Sequence, residues 1–276
     1  MTQTFKRAVE SPPPSQSLIM LIYGDPGSGK TFFAGTFGND TLYINVGAGI
    51  ATLYAPTFKE KHGEWNPFLF SPDPNAKESM AIQVRDAVDD ALDNPDIKNI
   101  IIDDATTLQD IFMMQAVDYN LSTNKSKTKL NLREYRAVIP AVQDYGTQMA
   151  FIDSFMATYT EACRAMQKNF IVLAHAKREY GEQKGTTPAA VNSVSPAFIG
   201  KKNNIGGYFD FVWFTDVEGA AGQQRYTART ERNQLIEAKT RWGGIFPEKY
   251  KNPNYPEIAN ALETYLNTGK IISISK

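Results

Sequence analysis

Near-continuous apolar runs, each closed by glycine or a polar residue, set out the framework of the chain. Leu18 to Tyr23, Thr41 to Val46, Asn99 to Ile102, Asn169 to Ala174 and Tyr208 to Thr215 all read as buried strands. Between them the spacing becomes helical. Phe32, Phe33, Ala34 and Phe37 are placed to cover a strand. Met80, Val84, Ala87, Val88 and Ala91 share one face of a helix over 79–92 that ends before Pro95. Residues 105–119 and the stretch up to about Lys168 also read as helical. Residues 50–77, rich in Pro and carrying Trp65, Phe68 and Phe70, are expected to be irregular and to pack on the sheet edge. Residues 176–207 show little periodicity and read as a long loop. Arg225 to Arg229 and Leu235 to Lys239 read as further strands, the second continuing into 240–244. A short helix over 258–266 and an edge strand over 270–274 close the pattern. Residues 1–17, ending in Ser-Pro-Pro-Pro-Ser-Gln-Ser, read as a flexible or polyproline arm. That leaves 18–276 as a single domain without an internal repeat.

The first strand ends in Gly24-Asp25-Pro26-Gly27-Ser28-Gly29-Lys30-Thr31, which fits G-x-x-x-x-G-K-[ST] without a mismatch. A strand–loop–helix context around this match makes it a phosphate-binding loop. Glycines let the backbone wrap an anion closely, and the opening helix adds its positive dipole end. Gly24 through Phe32 are the expected nucleotide contacts. Lys30 would reach the β- and γ-phosphates, and the Thr31 hydroxyl would ligate Mg²⁺. A chance Gly-rich turn is the bland reading, and eight matching residues in that context weigh against it.

The run Asn99-Ile100-Ile101-Ile102-Asp103-Asp104 is a Walker B signature. A carboxylate at the carboxyl end of a strand beside the phosphate loop holds Mg²⁺, a role that falls to Asp103. Asp104 either polarises the attacking water or caps the helix that starts near Ala105. His175 closes another apolar strand on the side where open α/β sheets bind ligands. It is a candidate γ-phosphate sensor; a lone histidine is otherwise usually structural. Between 121 and 136, Lys125, Lys127, Lys129, Arg133 and Arg136 face one acid, Glu134. In 176–207, Lys177, Arg178, Lys184, Lys201 and Lys202 outweigh Glu179 and Glu182. Both stretches read either as nucleic-acid contacts or as solvated turns, and Tyr135 and Tyr180 are the stacking candidates within them.

Composition narrows the classes. The 276 residues suit one α/β domain with insertions or two small domains, and 42% hydrophobic residues supply a sizeable core. With 29 Lys+Arg against 30 Asp+Glu the net charge is −1, so any polyanion site must come from local clustering. Cys163 is the lone cysteine, which excludes an internal disulfide framework and suits a reducing compartment. The apolar runs are too short for a membrane span, and the N-terminus lacks a signal-peptide core. A cytoplasmic protein without a membrane partner is expected.

The order phosphate loop, intervening strand, Walker B strand, polar-tipped strand and β-hairpins resembles the RecA-type ATPase core. The resemblance implies an α/β fold with a mostly parallel central sheet flanked by helices and a C-terminal β-hairpin extension. Small GTPases and nucleoside kinases fit less well, since N-K-x-D and a compact Arg-rich lid are missing from the sequence. Lys239-Thr240-Arg241-Trp242-Gly243 looks like the K-x-R-x-G element of RadA- and DnaB-like proteins. That likeness implies that Lys239 and Arg241 act on a neighbouring subunit's γ-phosphate. More closely, YGDPGSGKT, NIIIDDATTLQD, Asp144-Tyr145-Gly146, VLAHAKRE, the 196–207 loop leading into Phe209-Asp210-Phe211-Val212, and AKTRWGG resemble the phage-encoded RecA-fold proteins that include Sak-type single-strand annealing ATPases. This resemblance covers roughly residues 18–266. It implies ATP and Mg²⁺ as cofactors, a ring or filament of copies with ATP between subunits, and single-stranded DNA as partner. A single-strand-binding protein is a further implied partner, and the host cytoplasm the implied location.

One departure stands out. RecA-like proteins usually end the second strand in a pattern such as D-x-E-G-G, whose Glu activates water; here Gly47 stands in that place. Either Asp104 takes over or hydrolysis is slow, and Gly47→Glu is expected to raise it. The leading expectation is an ATP-dependent single-stranded-DNA protein of phage recombination. Its rivals are a hexameric helicase or translocase, an ATP-gated regulatory or assembly protein that never touches DNA, and, more distantly, a kinase of a small acceptor.

Overall fold

The apolar runs assemble into one sheet whose central strands are covered on both faces. The computed structural model describes residues 17–47, 49–123, 140–181, 191–197, 205–219, 225–241, 243–272 and 274. The first half contains β1 (Ile19–Gly24), α1 (Lys30–Gly35), β2 (Thr41–Asn45), α2 (Pro56–His62), β3 (Phe68–Phe70), α3 (Met80–Asp93), β4 (Asn99–Asp103) and α4 (Ala105–Ser122). There follow α5 (Val142–Ala165), β5 (Asn169–Tyr180), β6 (Val191–Pro196), β7 (Phe211–Glu218), β8 (Arg225–Arg229), β9 (Lys239–Thr240), β10 (Lys249–Lys251) and α6 (Tyr255–Thr268). Strand order is β10-β8-β7-β1-β5-β4-β2-β3, with β6 paired to β5 and β9 to β7. From β7 to β3 every pairing is parallel. β8, β10, β6 and β9 are antiparallel additions.

Alternate residues of each central strand feed two cores. Ile19, Leu21 and Tyr23 of β1 join Ile100, Ile102, Phe170 and Val172 beneath α3, α4 and α5. Met20 and Ile22 join Ile101, Ile171, Leu173 and Trp213 on the other face, under α1, α2 and α6. Burial on both sides is why the middles of these strands are apolar at successive positions rather than alternating. The fold is thus the expected α/β core with a mostly parallel sheet and extra C-terminal strands. Its register aligns Gly24 with His175 on one side and Thr215 on the other, and Asn45 with Asp103. The polar strand ends therefore share one edge of the sheet.

Several expectations are corrected. Residues 50–77 are not simply irregular: they contain α2 and β3, and β3 extends the sheet parallel to β2. The loop expected over 176–207 is in part a ribbon, because β5 runs on to Tyr180 and pairs antiparallel with β6. The strand expected over 235–239 shrinks to β9, with Ile236 making only an isolated bridge to Val194. Lys270 to Ile272 are not a strand, and β10 was not anticipated. Ser17, placed in the N-terminal arm, is buried and donates to the Cys163 carbonyl at 3.4 Å. The rest of that arm lies outside the described residues. Among the described residues no helix is long and apolar enough to cross a membrane.

Candidate nucleotide site

The phosphate loop is shaped by what its glycines leave out. Gly27 and Gly29 adopt φ of +80° and +87°, the left-handed region open to glycine at little cost. At Gly24 a Cβ would stand 2.4 Å from the Thr215 carbonyl oxygen, so β1 and β7 close on each other only there without a side chain. Ser28 Oγ lies 2.8 Å from Thr215 Oγ1, which ties the loop to β7. Lys30, 7% exposed, donates from Nζ to the carbonyls of Gly24 and Asp25, each at 2.9 Å. Burial lowers its pKa, against the pull of Asp103, Asp104 and Asp25. Its charge is therefore held beside the loop by two neutral acceptors that phosphate oxygens can replace.

The second helical residue faces the Walker B strand. Thr31 Oγ1 donates to Asp103 Oδ2 at 2.9 Å, and the Tyr43 hydroxyl donates to the same oxygen. Burial raises the Asp103 pKa, while the Tyr43 and Thr31 hydrogen bonds hold it down. A Cβ at Gly49 would fall 2.7 Å from Asp103 Oδ2 and 2.8 Å from Thr31 Oγ1, so this glycine keeps the flank of the pair open. A hydroxyl, a buried carboxylate and a cleared flank fit a small hard cation. Mg²⁺, when bound, would neutralise charge on the β- and γ-phosphates; Thr31 and Asp103 would hold it. Gly49→Ala is expected to weaken Mg²⁺-dependent triphosphate binding about tenfold. Titration calorimetry with and without chelator checks this, because binding without the metal should move much less.

Asp104 performs the bland role and leaves an oxygen for the other. Its Oδ1 caps α4, accepting from the Thr107 amide at 2.7 Å, while Oδ2 lies 3.4 Å from His175 Nε2. His175 is fixed through its backbone, its N–H donating to Thr106 Oγ1 at 3.3 Å and its carbonyl accepting from the Ala197 amide at 2.7 Å. A Cβ at Gly47 would sit 2.9 Å from Asp104 Oδ2. The space beside the usual Glu position is thus taken by the Asp104 carboxylate. This changes the expectation for Gly47→Glu: a second carboxylate would be forced against the first.

Other sequence-predicted residues fall elsewhere. Arg178 lies at the nucleotide site, where its guanidinium forks onto the carboxylate of Asp25 in the phosphate loop. Lys177 is exposed and pairs with Glu179 at 3.4 Å. Lys125, Lys127, Lys129, Lys201, Lys202 and Tyr135 lie outside the described residues; Tyr180 is exposed at the end of β5. Lys239 donates to the carbonyls of Gly206 and Phe209 at 2.9 and 2.7 Å, and Arg241 Nε pairs with Asp210 at 2.9 Å. Both flank the start of β7, where Val212 pairs with Lys239, at the end of the sheet opposite the loop. Neither reaches the phosphate loop of its own chain.

Tyr43 and Tyr226, which were not anticipated, complete the site together with Phe32. Tyr43 could have been noticed as the hydroxyl set between Leu42 and Ile44 in its strand. Phe32 and Tyr226 stack obliquely at 5.2 Å between centroids, and the Tyr226 ring packs so closely on Gly29 that a Cβ there would meet it at 2.5 Å. They line, with His62, Arg225 and Asn252, a cavity of about 380 Å³ beside the loop. Burial holds His62 below the usual histidine range.

A phosphate loop, a Walker B strand and a polar-tipped strand lying between their two strands define an ATP-binding P-loop NTPase domain of the RecA/AAA+ class. Residues 16–242 match the family model described as AAA domain, and the chain belongs to that family. No curated protein matches the chain. Solved structures similar to it include a KaiC-like protein from Pyrococcus horikoshii OT3, 12% identical over 87% of this chain and 88% of that one, with a TM-score of 0.39. Flagellar accessory protein FlaH from Methanocaldococcus jannaschii is 13% identical over 82% and 88%, TM-score 0.37. The RadB recombinase is 14% identical over 86% and 87%, TM-score 0.38.

Proposed function

We propose that this protein is an ATP-gated switch that assembles with copies of itself or with a protein partner, and that hydrolyses ATP slowly. The observation that carries the reading is the continuity of β5. It presents His175 to Asp104 at the nucleotide site and then runs on, without a break, into the ribbon with β6. Whatever changes at the γ-phosphate is thereby linked to a surface element. In this reading Lys30 and the loop amides bind phosphate, Thr31 and Asp103 hold Mg²⁺, and the base stacks in the cavity beside Phe32 and Tyr226. Asp104 Oδ2 orients the attacking water, and Lys239 with Arg241 faces a neighbouring copy. Annealing of single-stranded DNA, as in Sak-type phage proteins, is the second reading; exposed Lys177 supports it among the described residues.

One pair of measurements separates these. Light scattering after size exclusion, with no nucleotide, ADP or a non-hydrolysable ATP analogue, should show a larger assembly only with the triphosphate. Anisotropy of labelled single-stranded DNA over a salt series should show no binding. Binding that needs the triphosphate and falls steeply with salt would replace the switch with the annealing reading. Rapid, DNA-stimulated hydrolysis would point instead to a motor.

A further inference from the structure

The chain places a carboxylate inside its own phosphate loop. Asp25 follows Gly24 directly, where a polyphosphate of the same sign must bind. Arg178 answers it from β5, with Nη1 donating to Oδ1 at 2.6 Å and Nη2 to Oδ2. A guanidinium fork that fits a carboxylate fits a phosphate equally well. Arg178 lies three residues beyond His175, the register partner of Gly24, so it reaches back over the loop from the ribbon. The pair is half-buried, with side-chain exposures of 34% and 37%, so solvent and a bound nucleotide can both reach it. Asp25 also offers its carbonyl to Lys30 Nζ. Lys30 and Arg178 thus converge on one loop residue, one at its carbonyl and the other at its carboxylate.

We propose that Arg178 is the residue by which this site tells a nucleoside triphosphate from a diphosphate, leaving Asp25 for the terminal phosphate. The inference rests on the nucleotide reading above. The exchange trades one bidentate charged pair for another, so the cost of breaking the first is largely returned. A diphosphate offers no terminal group at that place and leaves Arg178 on Asp25. Because the same strand carries His175 and pairs with β6, the exchange also alters how the ribbon is tied to the loop. The competing account is that Arg178 does no more than neutralise Asp25.

The test is the affinity of the full-length protein for a non-hydrolysable ATP analogue and for ADP, both with Mg²⁺, measured by calorimetry. Wild type, R178A, R178K, D25N and the double variant D25N/R178A are compared. R178A should lose about tenfold in triphosphate affinity, as expected for one charge-assisted fork. Its ADP affinity should stay within about twofold, since a diphosphate brings no terminal group to Arg178. R178K, with charge but no fork, should fall between. D25N frees Arg178 and should bind the triphosphate more tightly than wild type, while R178A in that background should still abolish the preference. Equal loss of both nucleotides in R178A, or a loss that vanishes once Asp25 is neutral, would leave Arg178 a neutraliser and overturn the proposal. A wild-type protein that binds neither nucleotide would overturn the underlying reading, and this inference with it.

Discussion

Asp104→Asn is expected to lower ATP hydrolysis roughly a hundredfold while leaving nucleotide affinity nearly unchanged, the loss a positioned general base typically causes. The split follows from the two oxygens of this side chain. Oδ1 accepts from the Thr107 amide, and an asparagine carbonyl oxygen can keep that cap. Oδ2 is the oxygen beside Gly47 and 3.4 Å from His175 Nε2, and there an amide cannot take a proton from water. Phosphate release at saturating ATP and Mg²⁺, with binding measured alongside, checks it. Gly47→Glu alone should not raise the rate, because its Cβ would lie 2.9 Å from that same oxygen. Combined with Asp104→Asn, the new carboxylate meets an amide instead and should restore part of the activity. Hydrolysis at the wild-type rate in Asp104→Asn would remove Asp104 from the chemistry and leave it a helix cap.

The parts of this site that were legible in sequence are those whose physics is local or doubly buried. Ile100–Ile102 and Phe170–Ala174 are apolar throughout because both faces are covered, so their strands and the polar residues that close them could be placed. The phosphate loop declared itself through glycine spacing, two of whose members do take positive φ. The ribbon could not be read in the same way. Of Lys177 to Tyr180 only Arg178 is partly buried and the other three are exposed, so no hydrophobic period marks the strand. Its pairing is fixed by distant contacts instead: the Val194 amide donates to the Leu235 carbonyl at 2.6 Å, and the Glu237 amide to the Val194 carbonyl at 3.0 Å. β3 exposes Phe68 and Leu69, and β10 buries only Tyr250, each too short to show a period. In the opposite sense, the apolar residues around Ile271 and Ile272 resemble a strand, yet Ile271 is 58% exposed and unpaired in the sheet. The Arg178–Asp25 pair spans 153 positions, and such a contact is a property of the topology rather than of either segment.

Lys30→Met should abolish nucleotide binding without unfolding the protein, and the two readouts belong together. In the structure the ammonium is buried and satisfied by the Gly24 and Asp25 carbonyls, and burial already disfavours its charge. Methionine fills much of the same volume and removes a desolvated cation, which offsets the lost hydrogen bonds, so thermal stability without ligand should change little. The bound state is different. A polyphosphate would lose the one cation buried in the loop while Asp25, Asp103 and Asp104 remain around it, so affinity should fall at least about a hundredfold. Differential scanning makes the contrast visible. Ligand at about 100 times its Kd stabilises a binding-competent fold by about 2.7 kcal/mol. For a domain of this size that raises Tm by roughly 5–10 °C. Wild type should show that rise with ATP and Mg²⁺, and Lys30→Met should melt at the same temperature with or without them. A rise preserved in Lys30→Met would mean that the ligand is held mainly outside the phosphate loop, in the cavity beside Phe32 and Tyr226. The loop would then be a structural turn, and the assignment of phosphate binding to residues 24–31 would have to be withdrawn.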